Sequence, residues 1–271
     1  MPSPTEITTS QLSRLIGTPA RPKIVDVSID TDFLDDPFLI PTAIRHPFDQ
    51  IETLSLDYAD QNVVVICQKG LKLSQGAAAI LRTKGINAQS LHGGNYAWRD
   101  AKLMRTSNRN IPWNTSGRTL WVTRHRPKID RIACPWLIRR FVDPYAQFMF
   151  VSPSQVIPVA EKFAAIPFDV ENSSWSHVGD KCTFDTMIER FALHNEPLKK
   201  LASIVRGADT NKHNISPECA GLLAVSVGLS RMYKNDLQQM EAGFIIYDAL
   251  YRWARDGQNE THDWPTNKQK N

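Results

Sequence analysis

Cys67 is the residue best placed for covalent chemistry. It closes the run Asn62-Val-Val-Val-Ile66 and opens Gln68, Lys69, Gly70, Leu71 and Lys72, just ahead of a helix-forming stretch from Ser74. A loop that curls round a thiolate between strand and helix turns successive backbone N–H groups inward, and the helix N-terminus adds positive potential. Lys69 and Lys72 contribute charge, while Gly70 accepts backbone angles that a Cβ resists. Such surroundings lower a thiol pKa and make a nucleophile. The same pattern also fits a cysteine that merely ends a buried strand, which is the commoner fate of an isolated cysteine.

A second group is cationic. Between residues 118 and 140, Arg118, Arg124, Arg126, Lys128, Arg131, Arg139 and Arg140 share the stretch with one acid, Asp130. Guanidinium groups beside a helix start form planar anion sites, which makes Arg124, His125, Arg131 and Arg140 oxyanion candidates. Ion pairs with distant acids, or a solvated cationic face, account for the same residues. Nucleic acid is not an expected partner, because strand binding needs basic faces interleaved with aromatics and only Trp136 stands near.

A third group, His177, Cys182 and Asp185, places three potential ligands of a divalent metal within nine residues. Imidazole with thiolate suits zinc or a similar ion. Alternatively Cys182 is buried, Asp185 is a first-turn carboxylate favoured by the helix dipole, and His177 is a hydrogen-bonding loop residue. Asp209 and Asp248 could complete such a site; Asp248 sits amid apolar helical neighbours, where a carboxylate needs a cation or a donor. Cys134 and Cys219 are expected in the core.

The elements that must position these groups follow from periodicity. Lys23 to Val27, Asn62 to Cys67 and Ala88 to Leu91 read as short strands, with a helix from Ser74 to Lys84 that Gly85 stops. Strand, helix, strand at this spacing implies parallel pairing through a crossover. The polar stretch 106–117 lacks either apolar period and reads as a linker, dividing the chain at about residue 115 into domains 1–115 and 116–271. Beyond it come strands at Thr119 to Thr123 and Gln147 to Val151, a helix in which Pro135 is either the start or a kink, and a mainly helical remainder. The last helix, from Asp236 to Arg255, carries Leu237, Met240, Phe244, Tyr247, Ala249, Leu250 and Trp253 on one apolar face. The tail from Gly257 is polar. The fold class is therefore α/β, a parallel-sheet domain with flanking helices followed by a mixed, mainly α-helical domain with a few strands.

Composition bounds the function. With 271 residues, 42% hydrophobic, and 32 bases against 28 acids, the chain can bury two ordinary cores and is not strongly basic. The longest apolar stretch, residues 221–229, falls short of the roughly 18–20 residues a membrane span needs. The opening Met1-Pro-Ser-Pro-Thr-Glu6 lacks a basic region followed by an apolar run, so a cytoplasmic protein is expected. Four unevenly spaced cysteines without a C-x-x-C pair are expected to be thiols there.

Two resemblances sharpen this reading. Ile24-Val-Asp-Val27, Ile40-Pro-Thr-Ala-Ile44, Val65-Ile-Cys-Gln-Lys-Gly-Leu-Lys72 and Leu91-His-Gly-Gly-Asn-Tyr-Ala-Trp98 resemble, in order, the landmarks of a rhodanese domain over the first 105 or so residues. The resemblance implies that Cys67 accepts a sulfane sulfur as a persulfide and that Gln68 to Lys72 hold the donor, with Lys72 where that loop commonly carries arginine. Farther on, Arg124 to Pro144, His177 to Asp185, Ile204-Val-Arg-Gly-Ala-Asp209 and Tyr247-Asp-Ala-Leu-Tyr251 resemble the C-terminal domain of the chromate resistance protein ChrB. This implies a role in chromate resistance, with an oxyanion or metal recognised here.

The expected function is thus a sulfurtransferase that needs no cofactor for sulfur transfer. It takes sulfur from a small anionic donor to a thiol or other nucleophilic acceptor, with chromate a further candidate ligand and no membrane partner. The competing expectation is an oxyanion or metal sensor in which the first domain is only a scaffold.

Overall fold

The computed structural model describes residues 3–54 and 61–260, so the tail beyond residue 260 lies outside the described residues. The first part runs β1 (Glu6–Ile7), α1 (Thr9–Leu15), β2 (Lys23–Asp26), α2 (Asp30–Asp35), β3 (Phe38–Leu39), β4 (Ile44–Arg45), β5 (Asn62–Ile66), α3 (Lys72–Thr83), β6 (Asn87–Leu91), α4 (Gly94–Asp100) and β7 (Thr106–Ser107). Five strands form one sheet in the order β1-β6-β5-β2-β4, every pairing parallel.

β5 is the middle strand, with Val65 beside Val25 on one side and Val63 beside Ala88 on the other. Its four residues Val63 to Ile66 are buried, which is why the run is continuously β-branched rather than alternating. Period two still sorts the faces. Val63 and Val65 pack with Ala77, Ala78 and Leu81 of α3, whereas Val64 and Ile66 point into the larger core.

Residues 106–117 are not a free connection. β7 pairs antiparallel with β3, Ile111 is buried, and the Trp113 indole donates to Asn108 Oδ1 at 2.9 Å. The polar composition that suggests a linker instead supplies hydrogen bonds that clip the segment down.

The second part contains β8 (Leu120–Arg124), α5 (Asp130–Phe141), β9 (Gln147–Val151), α6 (Val156–Phe163), β10 (Ile166–Pro167), α7 (Thr183–Arg190), α8 (Glu196–Asp209), α9 (Glu218–Met232) and α10 (Asp236–Arg252). A parallel sheet of order β10-β8-β9 packs beside the helices. Pro135 lies inside α5 rather than starting it, within a helix buried nearly all round. Trp136 of α5 anchors an aromatic group with Phe141, Phe184, Tyr247 and Tyr251. On α10, Met240, Phe244 and Tyr247 are buried as their spacing requires, but Leu237 in the first turn is exposed. Gln239 is buried instead, donating its amide to Pro127 O, and Gly243 lets Ile132 of α5 approach closely.

One hydrophobic core runs through both parts, from Ile7, Leu12 and Trp98 to Trp136, Phe141 and Tyr251. Gly17 shows how tightly they meet, since a Cβ there would reach ring atoms of Phe141 and Tyr251 at 2.8 Å. No described helix is long and apolar enough to cross a membrane.

Candidate functional site

Cys67 follows the last residue of β5 and sits on the wall of a cleft of about 650 Å³ lined by Ile29, Asp32, Phe48, Leu71, Lys72 and the Cys67 loop. The loop is short because α3 begins at Lys72, and the N–H groups of a helix's first turn have no intrahelical acceptors. Lys69, Leu71 and Lys72 are exposed at the mouth, while Gln68 is buried and donates to Asp32 O. The Cys67 thiol donates to Ser74 Oγ at 3.2 Å, and Ser74 Oγ donates onward to Leu71 O. A hydroxyl can turn, so Ser74 can donate to the sulfur once Cys67 is a thiolate. Sequence reasoning uses Ser74 only as a helix start; its place one helical turn from the loop is the signal that could have identified it.

Glycines hold this loop in shape. Gly70 has φ of +67°, and a Cβ on it would meet Leu91 O at 2.5 Å and Gly93 N at 2.7 Å. Gly94 has φ of +59°, and its Cβ would collide with Cys67 O and Gly70 N and meet Gln68 O at 2.9 Å. The N–H groups of Asn95 and Tyr96 donate to Cys67 O and Gln68 O, both at 3.0 Å. The start of α4 is thus the brace that shapes the Cys67 loop. Asp26 is structural: fully buried, it accepts from Ser28 N, Ser28 Oγ and Asn95 Nδ2.

The arginines of the second part meet carboxylates. Arg140 makes a two-pronged pair with Asp248, both bonds 2.8 Å, and Trp136 Nε1 donates to the same carboxylate at 2.8 Å. Arg140 is therefore committed to a structural pair, which also supplies the cation that Asp248 requires. Arg124 and Arg131 both reach Asp169 Oδ2, at 2.9 and 3.3 Å. His125 is exposed. Of the four oxyanion candidates, then, three are neutralised by intrachain acids.

His177, Cys182 and Asp185 do not come together as a ligand set. Cys182 is the N-cap of α7, and Asp185 accepts from its backbone N–H and from its thiol. Asp185 Oδ1 is also paired with Arg206 at 2.7 Å. Burial, then the charges of Asp130 and Asp185, push the Cys182 thiol far up, and burial does the same to Cys134, so neither is a ready thiolate.

His177 turns to other acids. Its Nε2 lies 3.2 Å from Asp209 Oδ2 and 3.5 Å from both Asp130 Oδ2 and Asp169 Oδ1. Asp169 and Asp209 beside it hold the imidazole pKa up at about 10. Burial, then repulsion from Asp209 and Asp169, raises Asp130 well above the usual carboxylate range. Burial tends to raise Asp169 as well, but His177, Arg124 and Thr183 bring it below the ordinary value. Asp130 stands at the start of α5, Asp169 in the loop after β10, His177 before α7 and Asp209 at the end of α8. Asp169 carries no sequence motif, and the four converge only through the fold.

Residues 8–101, which hold the parallel sheet and the strand-loop-helix cysteine, match the family model described as the rhodanese-like domain. Residues 121–254 match the model described as the ChrB C-terminal domain. The two matched stretches follow one another along the chain. The protein ChrB of Cupriavidus metallidurans is 31% identical over 144 residues, which are 53% of this chain and 43% of that relative, so the match spans less than half of it. Among solved structures, a rhodanese-like domain protein from Staphylococcus aureus is 27% identical, covering 35% of this chain and 90% of its own with a TM-score of 0.32. A thiosulfate sulfurtransferase from Pseudomonas aeruginosa is 23% identical, covering 38% of this chain and 19% of its own with a TM-score of 0.31.

Proposed function

We propose that the protein is a cytoplasmic sulfurtransferase that forms a persulfide on Cys67 and serves in chromate resistance. The observation that carries the reading is the placement of Cys67 on the wall of an open cleft, in a loop braced by Gly94 and flanked by Lys69 and Lys72. The Cys67 thiolate attacks the outer sulfur of a donor such as thiosulfate. The donor's S–S bond breaks, and sulfite leaves with the electron pair. A nucleophilic acceptor then attacks the terminal sulfur of the persulfide, and the Cys67 thiolate departs with its electrons, so no external oxidant or reductant is needed. Lys72 holds the anionic donor, Ser74 donates to the departing thiolate, and neither step requires a metal. The role in chromate resistance rests on the match of residues 121–254.

The test is intact mass after mixing with thiosulfate and then with cyanide, for the wild type and Cys67→Ser. A gain of about one sulfur, roughly 32 Da, that needs Cys67 and disappears with cyanide is the expected outcome for a reactive thiolate. No adduct from either thiosulfate or a persulfide donor would refute the assignment.

A further inference from the structure

We propose that Asp130, His177 and Asp209 form a binding site for a divalent first-row metal ion, Mn²⁺ or Zn²⁺. This goes beyond the sulfur-transfer reading and does not depend on it. One ligand atom from each of the three residues lies within 4.8 Å of the others.

The spacing suits an ion better than a hydrogen-bonded cluster. His177 Nε2 carries at most one proton, yet three separate carboxylate oxygens surround it at 3.2–3.5 Å. A proton shared between charged partners draws them to about 2.7–2.9 Å. Atoms bonded at about 2.1 Å to one tetrahedral ion stand roughly 3.4 Å apart, close to the 3.5 and 3.2 Å that separate His177 Nε2 from the Asp130 and Asp209 oxygens.

A second observation is independent of that geometry. Asp130 is fully buried, its Oδ2 accepts from Thr183 N at 2.6 Å, and its Oδ1 has no partner. A buried carboxylate oxygen left without a donor is costly unless a cation completes it. Arg124 and Arg131 do not supply that cation, because both bind Asp169, and the one imidazole of His177 is shared among three acids. Asp209 is the last residue of α8, where the helix dipole disfavours negative charge, so its placement also calls for a cation.

The donor set narrows the ion. One imidazole with two carboxylates favours a borderline or hard divalent ion over a thiophilic one, and the Cys182 sulfur is occupied in its cap with Asp185. Asp169 Oδ1 accepts from Thr183 Oγ1 at 2.9 Å while its other oxygen holds the arginines, which leaves Asp169 out of the ligand set. His177 is 40% exposed, so an ion can reach the site from solvent.

The experiment uses the full-length chain stripped with EDTA and titrated by calorimetry with MnCl₂, ZnCl₂ and MgCl₂. About one equivalent of Mn²⁺ or Zn²⁺ should bind, with Mg²⁺, which demands octahedral oxygen ligands, at least tenfold weaker. Asp209→Asn and His177→Gln should each weaken binding by roughly tenfold or more. Asp130→Asn should abolish binding and yet raise the melting temperature of the metal-free protein, because it removes one of three crowded carboxylates while keeping an acceptor for Thr183 N. That opposite movement separates loss of a ligand from loss of the fold. The proposal is overturned if the stripped wild type takes up neither ion, if Mg²⁺ binds equally well, or if Asp130→Asn and Asp209→Asn bind like the wild type.

Discussion

Replacing Gly94 by alanine should damage the Cys67 loop through its backbone, without touching a side chain of the cleft. Its φ of +59° alone makes any Cβ strained, by about 1–2 kcal/mol. The Cβ would also press on Cys67 O, Gly70 N and Gln68 O, which are backbone atoms that cannot rotate away. Forcing such atoms apart in a packed site costs about 1–3 kcal/mol more. The total is about 2–5 kcal/mol, and at about 2–3 °C per kcal/mol for a chain of this size the melting temperature should fall by about 5–15 °C. Two other glycines separate the components. Gly85 also has positive φ, +81°, but nothing lies within 4 Å of its Cβ, so Gly85→Ala should lose only the backbone part, about 1–2 kcal/mol. Gly76 lies within α3 with open space around it, and Gly76→Ala should stabilise by about 0.5–1 kcal/mol. Thermal unfolding of the three variants, together with the rate at which Cys67 gains sulfur from thiosulfate, is the assay. If Gly94→Ala melts no lower than Gly85→Ala and loads sulfur at the wild-type rate, α4 is not the brace of this loop.

Other outcomes follow from the same contacts. Arg140→Ala leaves the half-buried Asp248 beside Trp136 without its cation and should destabilise by about 2–3 kcal/mol, whereas Glu241→Ala, at the exposed end of the Arg139 pair, should change stability by less than about 1 kcal/mol; equal effects in urea unfolding would contradict the burial argument. Burial raises the Asp26 pKa above 3.8 despite the hydrogen bonds from Ser28 and Asn95. A folded-state pKa above the unfolded value means that this group's favourable contribution is fully present below about 3.8 and is lost as pH rises through the raised value. The melting temperature of Asp26→Asn should therefore gain on that of the wild type between about pH 4 and pH 7, and a difference constant with pH would refute the sign. Lys72→Ala should raise the KM for thiosulfate by roughly tenfold while leaving the Cys67 persulfide able to form, as expected for one lost charge at an anion site.

The placement of Cys67 between strand and helix is readable in the sequence because its signals are local. The β-branched run of β5, the helix formers of α3 and the stop at Gly85 are adjacent in sequence, and they leave Cys67 at the only junction between them. Ser74 and Gly94 completed that site from positions whose roles depend on how the chain returns. In the second part, proximity in sequence misled. Cys182 and Asp185 are near each other because they cap the same helix, and they satisfy one another there. The acids around His177 come from residues 130, 169 and 209, positions spread over about 80 residues that only the packing of α5, α7 and α8 joins. The arginines were visible as charge, but which carboxylate each would meet depends on the same packing.

The contact of Gly17 with Phe141 and Tyr251 bears on how such a chain can be taken apart. Two stretches that match separate family models share one apolar interior, and the Arg14 carbonyl accepts from Arg255 across the seam. Cutting near residue 115 would not release two finished modules. It would uncover Phe141 and Tyr251 on one fragment and the face around Gly17 on the other, leaving apolar patches that favour aggregation. The two stretches should instead melt as one cooperative unit, and a substitution at this seam should lower the stability of both sites together.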